Sequence, residues 1–523
     1  MNSLLEKILL VLSMFLIVVI FSLTIRGMSG NPTIEELNSP MWVSSGPFES
    51  SNDRGRFALT YSFLEDGFLQ FSLPVAEFAS PDLAVTPQGQ YVSLFAPGVS
   101  FIVMPGYLLG KYFGISQVGA FSVITIFALI NGLLIYLILV ELRVKRLASF
   151  ISAVTFLFAT PAFTYAVSLS QHHISTFLLL LGVYALIKWK NWKGTSLVWF
   201  LCALSIVVDN PNFFLMLPLG LYGLRNIFSV ETISKKIVVS VKPFYLLTFI
   251  AMIPPIAFFG WYNFRAHGDS FQLAGTLQRV LSVSEGYEQH TIDANEQILL
   301  ETETQSEDTD SEKTAVNFFK TRNLYGGLYT HFISLDRGVL YFTPVVLFGI
   351  LGLCIFYRRS LLGASLFIAI IGSNILLYSM WGDPWGGWAF GSRYLIPSYA
   401  ILCIGIGFVL SEYSKKLIIP TLFFLIFSYS VTINTVGALA TSLIPPKTEV
   451  LALEKMTGNV EKYTYERSFD YLKINGSKSY VFQTYLKNLF TAEQYYYVIV
   501  VMIIFIVLIS LIVLMILARR DND

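Results

Sequence analysis

Apolar runs recur along the chain, separated by short stretches in which the charged residues collect. A helix of about 20 apolar residues spans a bilayer, where every backbone polar group must be paired within the segment. The pattern predicts spans over residues 8–26, 117–140, 147–166, 173–187, 195–209, 212–224, 243–262, 338–356, 361–380, 394–411, 417–440 and 494–518. Positive charge fixes their direction, since Lys and Arg are retained in cytoplasmic loops. The basic clusters are Arg143 to Arg146, Lys188 to Lys193, Arg225 to Lys242, Arg358-Arg359, Lys415-Lys416 and Arg519-Arg520. Twelve spans counted from a cytoplasmic N-terminus place all six clusters inside, and return the C-terminus to the same side. Outside lie 27–94, 263–337, 381–393 and 441–492, with short turns at 168–173 and 209–212.

The count holds only if 95–112 does not cross. That segment is apolar, but Pro97-Gly98 and Pro105-Gly106 interrupt it, and both residues weaken a helix at membrane depth. It reads as a re-entrant or juxtamembrane segment. The first span follows Lys7 without a small-residue cleavage site, so an uncleaved anchor is expected. The predicted fold is an all-α polytopic membrane protein of about 12 transmembrane helices plus that segment. Residues 1–440 form a transmembrane core with outer loops, 441–492 a small extracytoplasmic segment, and 493–523 a last span and cytoplasmic tail.

Composition narrows the class. With 54% hydrophobic and 13% charged residues over 523 positions, the chain is too apolar for a soluble domain. A net charge of +1 gives no electrostatic case for nucleic acid. Cys202, Cys354 and Cys403 fall in apolar runs, without disulfide or metal-site spacing. Span interiors hold essentially no ionisable residue, which weighs against a coupled transporter. The acidic tract from Glu285 to Glu312 lacks repeated calcium-ligand spacing, so a solvated loop is expected.

Chemistry-bearing residues gather outside. Asp53, Arg54 and Arg56 open an amphipathic run, where Asp53 can cap a helix or act as a general base. The neighbouring arginines should keep it ionised and lower its proton affinity. His172 and His173 are adjacent, so they point apart on a helix and do not form a two-ligand metal site. Asp209-Asn210-Pro211-Asn212 reads as a turn and helix cap. Trp381 to Tyr394 carries three Trp, four Gly, Asp383 and Arg393. An aromatic belt accounts for the tryptophans. Stacking surfaces for a sugar and a cation for phosphate account for the whole stretch.

Asp53-Arg54-Gly55-Arg56-Phe57-Ala58 is similar to an Asp-x-x-Arg-Tyr-Ala first-loop pattern, and Tyr91 to Pro97-Gly98 to a Tyr…Pro-Pro/Gly motif opening a juxtamembrane helix. With Tyr165 to His173, Trp261-Tyr262-Asn263, Asp336-Arg337-Gly338 and Trp381 to Tyr394, residues 1–440 resemble the C-class integral-membrane glycosyltransferases. That family uses polyprenyl-phosphate sugars and includes lipid A aminoarabinose transferases and protein O-mannosyltransferases. The resemblance implies sugar transfer from a polyprenyl-phosphate donor to a lipid, glycan or protein acceptor. Transfer would occur on the outer face of the cytoplasmic membrane. It implies Asp53 as base, with Arg56, Arg337 and Arg393 on the donor phosphate. Arg54, Tyr91, His172, His173, Asp383, Trp388 and Tyr394 would line the pocket. Arg54 stands where an acidic residue often follows the catalytic Asp, and histidines occupy the second outer turn. Both departures weigh against a two-carboxylate metal site, and no cofactor is expected, with a divalent metal as the unsupported alternative. The rival readings are a lipid-linked glycan flippase, which the empty span interiors disfavour, and a non-catalytic membrane scaffold.

Overall fold

The computed structural model describes residues 2–233, 236–280, 283, 319–458 and 460–520. The tract from Glu285 to Glu312 lies outside them. Among the described residues seven helices are long and apolar enough to cross a membrane: Glu6–Thr24, Ser116–Glu141, Pro243–His267, Leu361–Ser379, Arg393–Tyr413, Ile418–Leu439 and Ala492–Arg520. Arg146–Phe158, His172–Lys188, Trp192–Val208 and Asn212–Leu224 are shorter apolar helices, and Leu347–Arg359 meets the remaining expected span. The fold is that of a helical polytopic membrane protein.

Proline accounts for most departures from the expected spans. Residues 147–166 divide into Arg146–Phe158 and Ala162–Ala166, with Pro161 between them. Residues 338–356 break at Pro344 into Val339–Phe342, a 3₁₀ turn Pro344–Val346 and Leu347–Arg359. Residues 243–262 pass through a 3₁₀ stretch, Leu247–Met252, just before Pro254 and Pro255. Each ring removes a backbone donor and clashes with the preceding turn.

The architecture is not wholly helical. Short strands form at β1 (Leu83–Val85), β2 (Tyr91–Ser93), β3 (Phe228–Ile233), β4 (Lys236–Val241) and β5 (Gln278–Val280). Antiparallel pairing in the order β2-β1-β5 joins the stretch after the first long helix to the one that follows helix Ile253–His267, and β3 and β4 form a hairpin.

Gly98–Tyr112 is a single helix of 15 residues. At 1.5 Å per residue it reaches roughly 22 Å, short of a hydrocarbon core of about 30 Å. It turns at Gly114 and folds back on Ser116–Glu141. Gly106 and Gly110 meet Gly119 there, so closely that a Cβ at any of the three would strike backbone of the other helix.

The bundle has two chemically different ends. At one end Lys188 pairs with Glu141, Arg359 with Glu412, and Lys145 Nζ donates to Ser414 Oγ at 3.1 Å. Trp192 contacts Phe244 on the same side, with ring centroids 6.1 Å apart. The opposite ends of these helices carry Gln171, His172, Asp209 and Arg393. Residues 441–492 pack over that second end. Glu49 anchors them: it is bonded by Arg26 at 2.7 Å, Lys478 at 2.6 Å, Thr441 Oγ1 at 2.7 Å and the Ser442 amide at 2.9 Å. Burial opposes ionisation of Glu49, but Lys478 and Arg26 overcome it and hold the carboxyl at about 2.

Candidate active site

Helix Ser51–Tyr61 begins beside Ser50, with no side-chain cap bond. Asp53 lies in its first turn, and its carboxylate accepts no hydrogen bond from any described residue. The capping role open to it in the sequence is therefore not taken. Asp53 and Arg56, three residues apart, share a face, whereas Arg54 points elsewhere. Arg54 donates to four backbone carbonyls: Phe78 at 2.9 Å, Phe48 at 3.1 Å, Glu49 at 3.3 Å and Ser80 at 2.6 Å. It ties the loop together and stands apart from the site.

Asp53 is 4% exposed and Arg56 3% exposed. Among the described residues no cation lies within 4.0 Å of the Asp53 carboxylate. Burial pushes its carboxyl up to about 6, against the pull of Arg56, Arg26 and Arg393 and with help from Glu49. The arginines alone would have lowered it, as the sequence suggested. Desolvation outweighs them because it penalises the charged form while the cations stay beyond contact.

Arg56 donates from one Nη to the Asn52 carbonyl at 3.1 Å and from the other to Gln171 Oε1 at 2.7 Å. Its guanidinium lies 4.3 Å from the centre of the Phe95 ring, and its buried Nε–H has no acceptor. The same ring fills the space beside Gly55, where a Cβ would sit 2.9 Å from it. Ser100 Oγ donates to the Arg56 carbonyl at 2.8 Å, so helix Gly98–Tyr112 braces the helix carrying Asp53 and Arg56.

Arg393 enters from the far end of the chain. One Nη donates to the Gly386 carbonyl at 2.9 Å. With the Asn52 amide turned oxygen-inward, both Nη atoms also reach Asn52, at 2.9 and 3.0 Å. The Arg393 Nε–H is buried without an acceptor, as in Arg56. Tyr394 stacks on Tyr378 with centroids 4.3 Å apart and rings 6° from parallel. His172 meets the edge of Tyr394 at 6.3 Å and of Tyr165 at 5.3 Å. Asp209, just past helix Trp192–Val208, accepts from Gln171 Nε2 at 3.3 Å.

The remaining predicted residues hold the scaffold. Asp383 accepts from the Gly386 and Gly387 amides at 2.9 and 2.6 Å, and burial raises its carboxyl. Those glycines have φ of +71° and +62°, a region that favours glycine. Arg337 donates to the carbonyls of Trp385 at 3.0 Å, Gly387 at 2.6 Å and Ile444 at 2.7 Å. The two side chains fix the loop whose Gly386 carbonyl receives Arg393. Trp388 turns outward, donating to Glu449 at 2.8 Å with Arg467 5.1 Å over its ring. His173 faces between helices, its Nε2 2.8 Å from the Ala162 carbonyl and its Nδ1 3.3 Å from Asn131. Tyr91 sits in β2, paired with Val85.

Asp53, Arg56, His172, Arg393 and Tyr394 are thus brought together, with Asn52, Gln171, Asp209, Tyr165 and Tyr378 added by the fold. Among the described residues, no three His, Cys, Asp or Glu side chains converge as a metal site. The added residues carried one signal: each bears a polar group and stands in a loop or near the end of a helix.

No family model and no curated protein matches the chain. Several solved structures resemble its fold. One is ArnT from Cupriavidus metallidurans bound to undecaprenyl phosphate, at 13% identity over 98% of this chain and 78% of that one, with TM-score 0.43. Another is the archaeal oligosaccharyltransferase AglB from Archaeoglobus fulgidus, in complex with an inhibitory peptide and a dolichol-phosphate. It matches at 13% identity over 93% of this chain and 55% of that one, with TM-score 0.40.

Proposed function

We propose that the protein is an integral-membrane glycosyltransferase that moves a sugar from a polyprenyl-phosphate donor to a lipid, glycan or protein acceptor. One observation carries the reading. A buried carboxylate without a hydrogen bond, Asp53, lies in the field of two arginines whose Nε–H groups are buried and unpartnered. Buried donors without acceptors are costly, and a phosphate supplies acceptors for both. Guanidinium groups suit that task because they stay charged and offer a planar fork.

In the proposed reaction the acceptor's hydroxyl or amine attacks the anomeric carbon as its proton passes to Asp53. The bond between that carbon and the phosphate oxygen breaks, with inversion. Polyprenyl phosphate leaves with the bonding pair, its charge met by Arg56 and Arg393. A carboxyl at about 6 is deprotonated at neutral pH yet basic enough to take a proton in the transition state. Tyr394 and His172 line the pocket, while Arg54, Arg337, Asp383 and Trp388 shape its frame.

The site end of the bundle faces outward in this reading, because the lysine- and arginine-rich helix ends lie opposite, where cytoplasmic retention would hold them. The sequence motifs of the first outer loop support the same assignment. The direct test is incubation of the purified protein with radiolabelled polyprenyl-phosphate sugars and membrane extract. Transfer to an extractable product is expected, and its loss in Asp53→Asn. No transfer from any donor offered would leave the reading without support.

A further inference from the structure

Among the described residues Arg56 has no carboxylate within ion-pairing distance, although three carboxylates, Asp209, Asp53 and Asp82, act on it. Of these, Asp209 acts the most strongly. Its carboxylate reaches Arg56 only through an amide: Gln171 accepts from Arg56 at 2.7 Å and donates to Asp209 at 3.3 Å. The three residues come from separate elements: the first-loop helix, the residue before helix His172–Lys188, and the end of helix Trp192–Val208. The amide bridge therefore registers all three.

A direct Arg–carboxylate pair would occupy the guanidinium fork and cancel much of its charge. The observed bridge does neither. It fixes one Nη and leaves Nε–H without an acceptor. The charge of Asp209 is felt at a distance, across low-dielectric surroundings that screen it weakly. Phe95 holds the opposite face of the guanidinium, so the plane is set by a ring, a carbonyl and an amide.

We propose that Gln171 and Asp209 are positioning residues that set the anion affinity of Arg56. Gln171 orients the fork, and Asp209 tempers its charge so that a phosphate-bearing lipid is bound without being trapped. This rests on the proposed role of Arg56 at the donor phosphate. The two residues have opposite signs of effect, which a shared structural role would not produce. Asp209→Asn keeps an oxygen for the Gln171 amide and removes the charge, so anion binding tightens. Gln171→Leu removes both bonds and lets the fork wander, so binding weakens.

The test uses the full-length purified protein in detergent and farnesyl monophosphate as probe, with affinity read by calorimetry. Asp209→Asn should bind at least about threefold tighter, and Gln171→Leu about tenfold more weakly. Gln171→Asn keeps an amide but is one methylene too short, and should weaken binding if Gln171→Leu does not fold. Weaker binding in both Asp209→Asn and the Gln171 variants, or no change in either, overturns the proposal. Arg56→Ala separates the two levels. If it weakens binding while the pair does not, only this inference fails. If it binds as the wild type does, the phosphate assignment of Arg56 fails with it.

Discussion

With its amide oxygen turned inward, Asn52 accepts from both terminal nitrogens of Arg393, at 2.9 and 3.0 Å. The contact joins the stretch before helix Ile396–Tyr413 to the first-loop helix, one residue from Asp53. It holds the guanidinium at the site by a neutral partner, so its charge is not cancelled there. Arg393 is in this respect the counterpart of Arg56, which also leans on neutral oxygens.

A fork that bonds Asn52 and Gly386 at once cannot be replaced by an ammonium. Arg393→Lys keeps the charge and loses the planar geometry, so affinity for a polyprenyl phosphate should fall about tenfold, and further in Arg393→Ala. Calorimetry with the purified variants measures this. Wild-type affinity in Arg393→Ala would show that the arginine only closes the loop.

Glu49 makes a separate prediction. Its side chain compensates two buried cations, Arg26 and Lys478. Glu49→Gln leaves both without their anion, at a cost of about 3–5 kcal/mol. Unfolding temperature should drop, and residues 441–492 should become sensitive to limited proteolysis. Because the folded carboxyl lies at about 2, below its ordinary value of 4.5, the stability it supplies is present above the ordinary value. It is lost as pH falls toward 2. Unchanged melting in Glu49→Gln would remove the anchoring role.

Much of this arrangement was legible in the sequence, and the limits have physical causes. The apolar periodicity located the helices, because bilayer thickness sets their length, but could not foresee how far Pro161 and Pro344 would break them. Asp53 and Arg56 stood out as charges in an apolar chain. Arg54 stood out equally, and only the helical face separates it from them. Gln171 and Asp209 looked like turn residues, since a contact between sequence-distant loops leaves no mark in either loop alone. Arg337 and Asp383 were seen as polar groups of the outer loops. Their bonds to loop backbone depend on glycines with positive φ, which no sequence spacing reveals.

The orientation of the bundle has its own check. In a background with Cys202, Cys354 and Cys403 replaced, Asn475→Cys should react with an impermeant maleimide in intact cells. Lys190→Cys and Arg358→Cys should react only after permeabilisation. Asn475 belongs to the segment packed over the site, and the other two lie at the basic end. The reverse pattern would put the site on the cytoplasmic face and exclude the proposed donor geometry.

Asp53→Asn should lose activity and gain stability. The folded carboxyl lies at about 6 against an ordinary 3.8, raised by burial. A raised carboxyl favours the protonated folded state, so ionisation costs stability. The cost is absent below about 4, grows between 4 and 6, and is complete above 6. Two units at 1.36 kcal/mol each set it at roughly 3 kcal/mol at neutral pH. Asparagine removes that cost, so the variant should melt higher than wild type at pH 7.5, and the difference should vanish near pH 4. The same substitution removes the proton acceptor, which lowers turnover by about 10²–10⁴. The wild-type rate should itself fall below pH 6 as Asp53 protonates, and the variant's residual rate should show no such limb. A structural aspartate would give the opposite stability result, since its removal would leave Arg56 and Arg393 less well compensated. Melting curves at pH 4 and 7.5, beside a pH–rate profile of both proteins, therefore separate the two roles. A variant that transfers sugar at the wild-type rate, or that melts lower at neutral pH, would displace Asp53 from the chemistry.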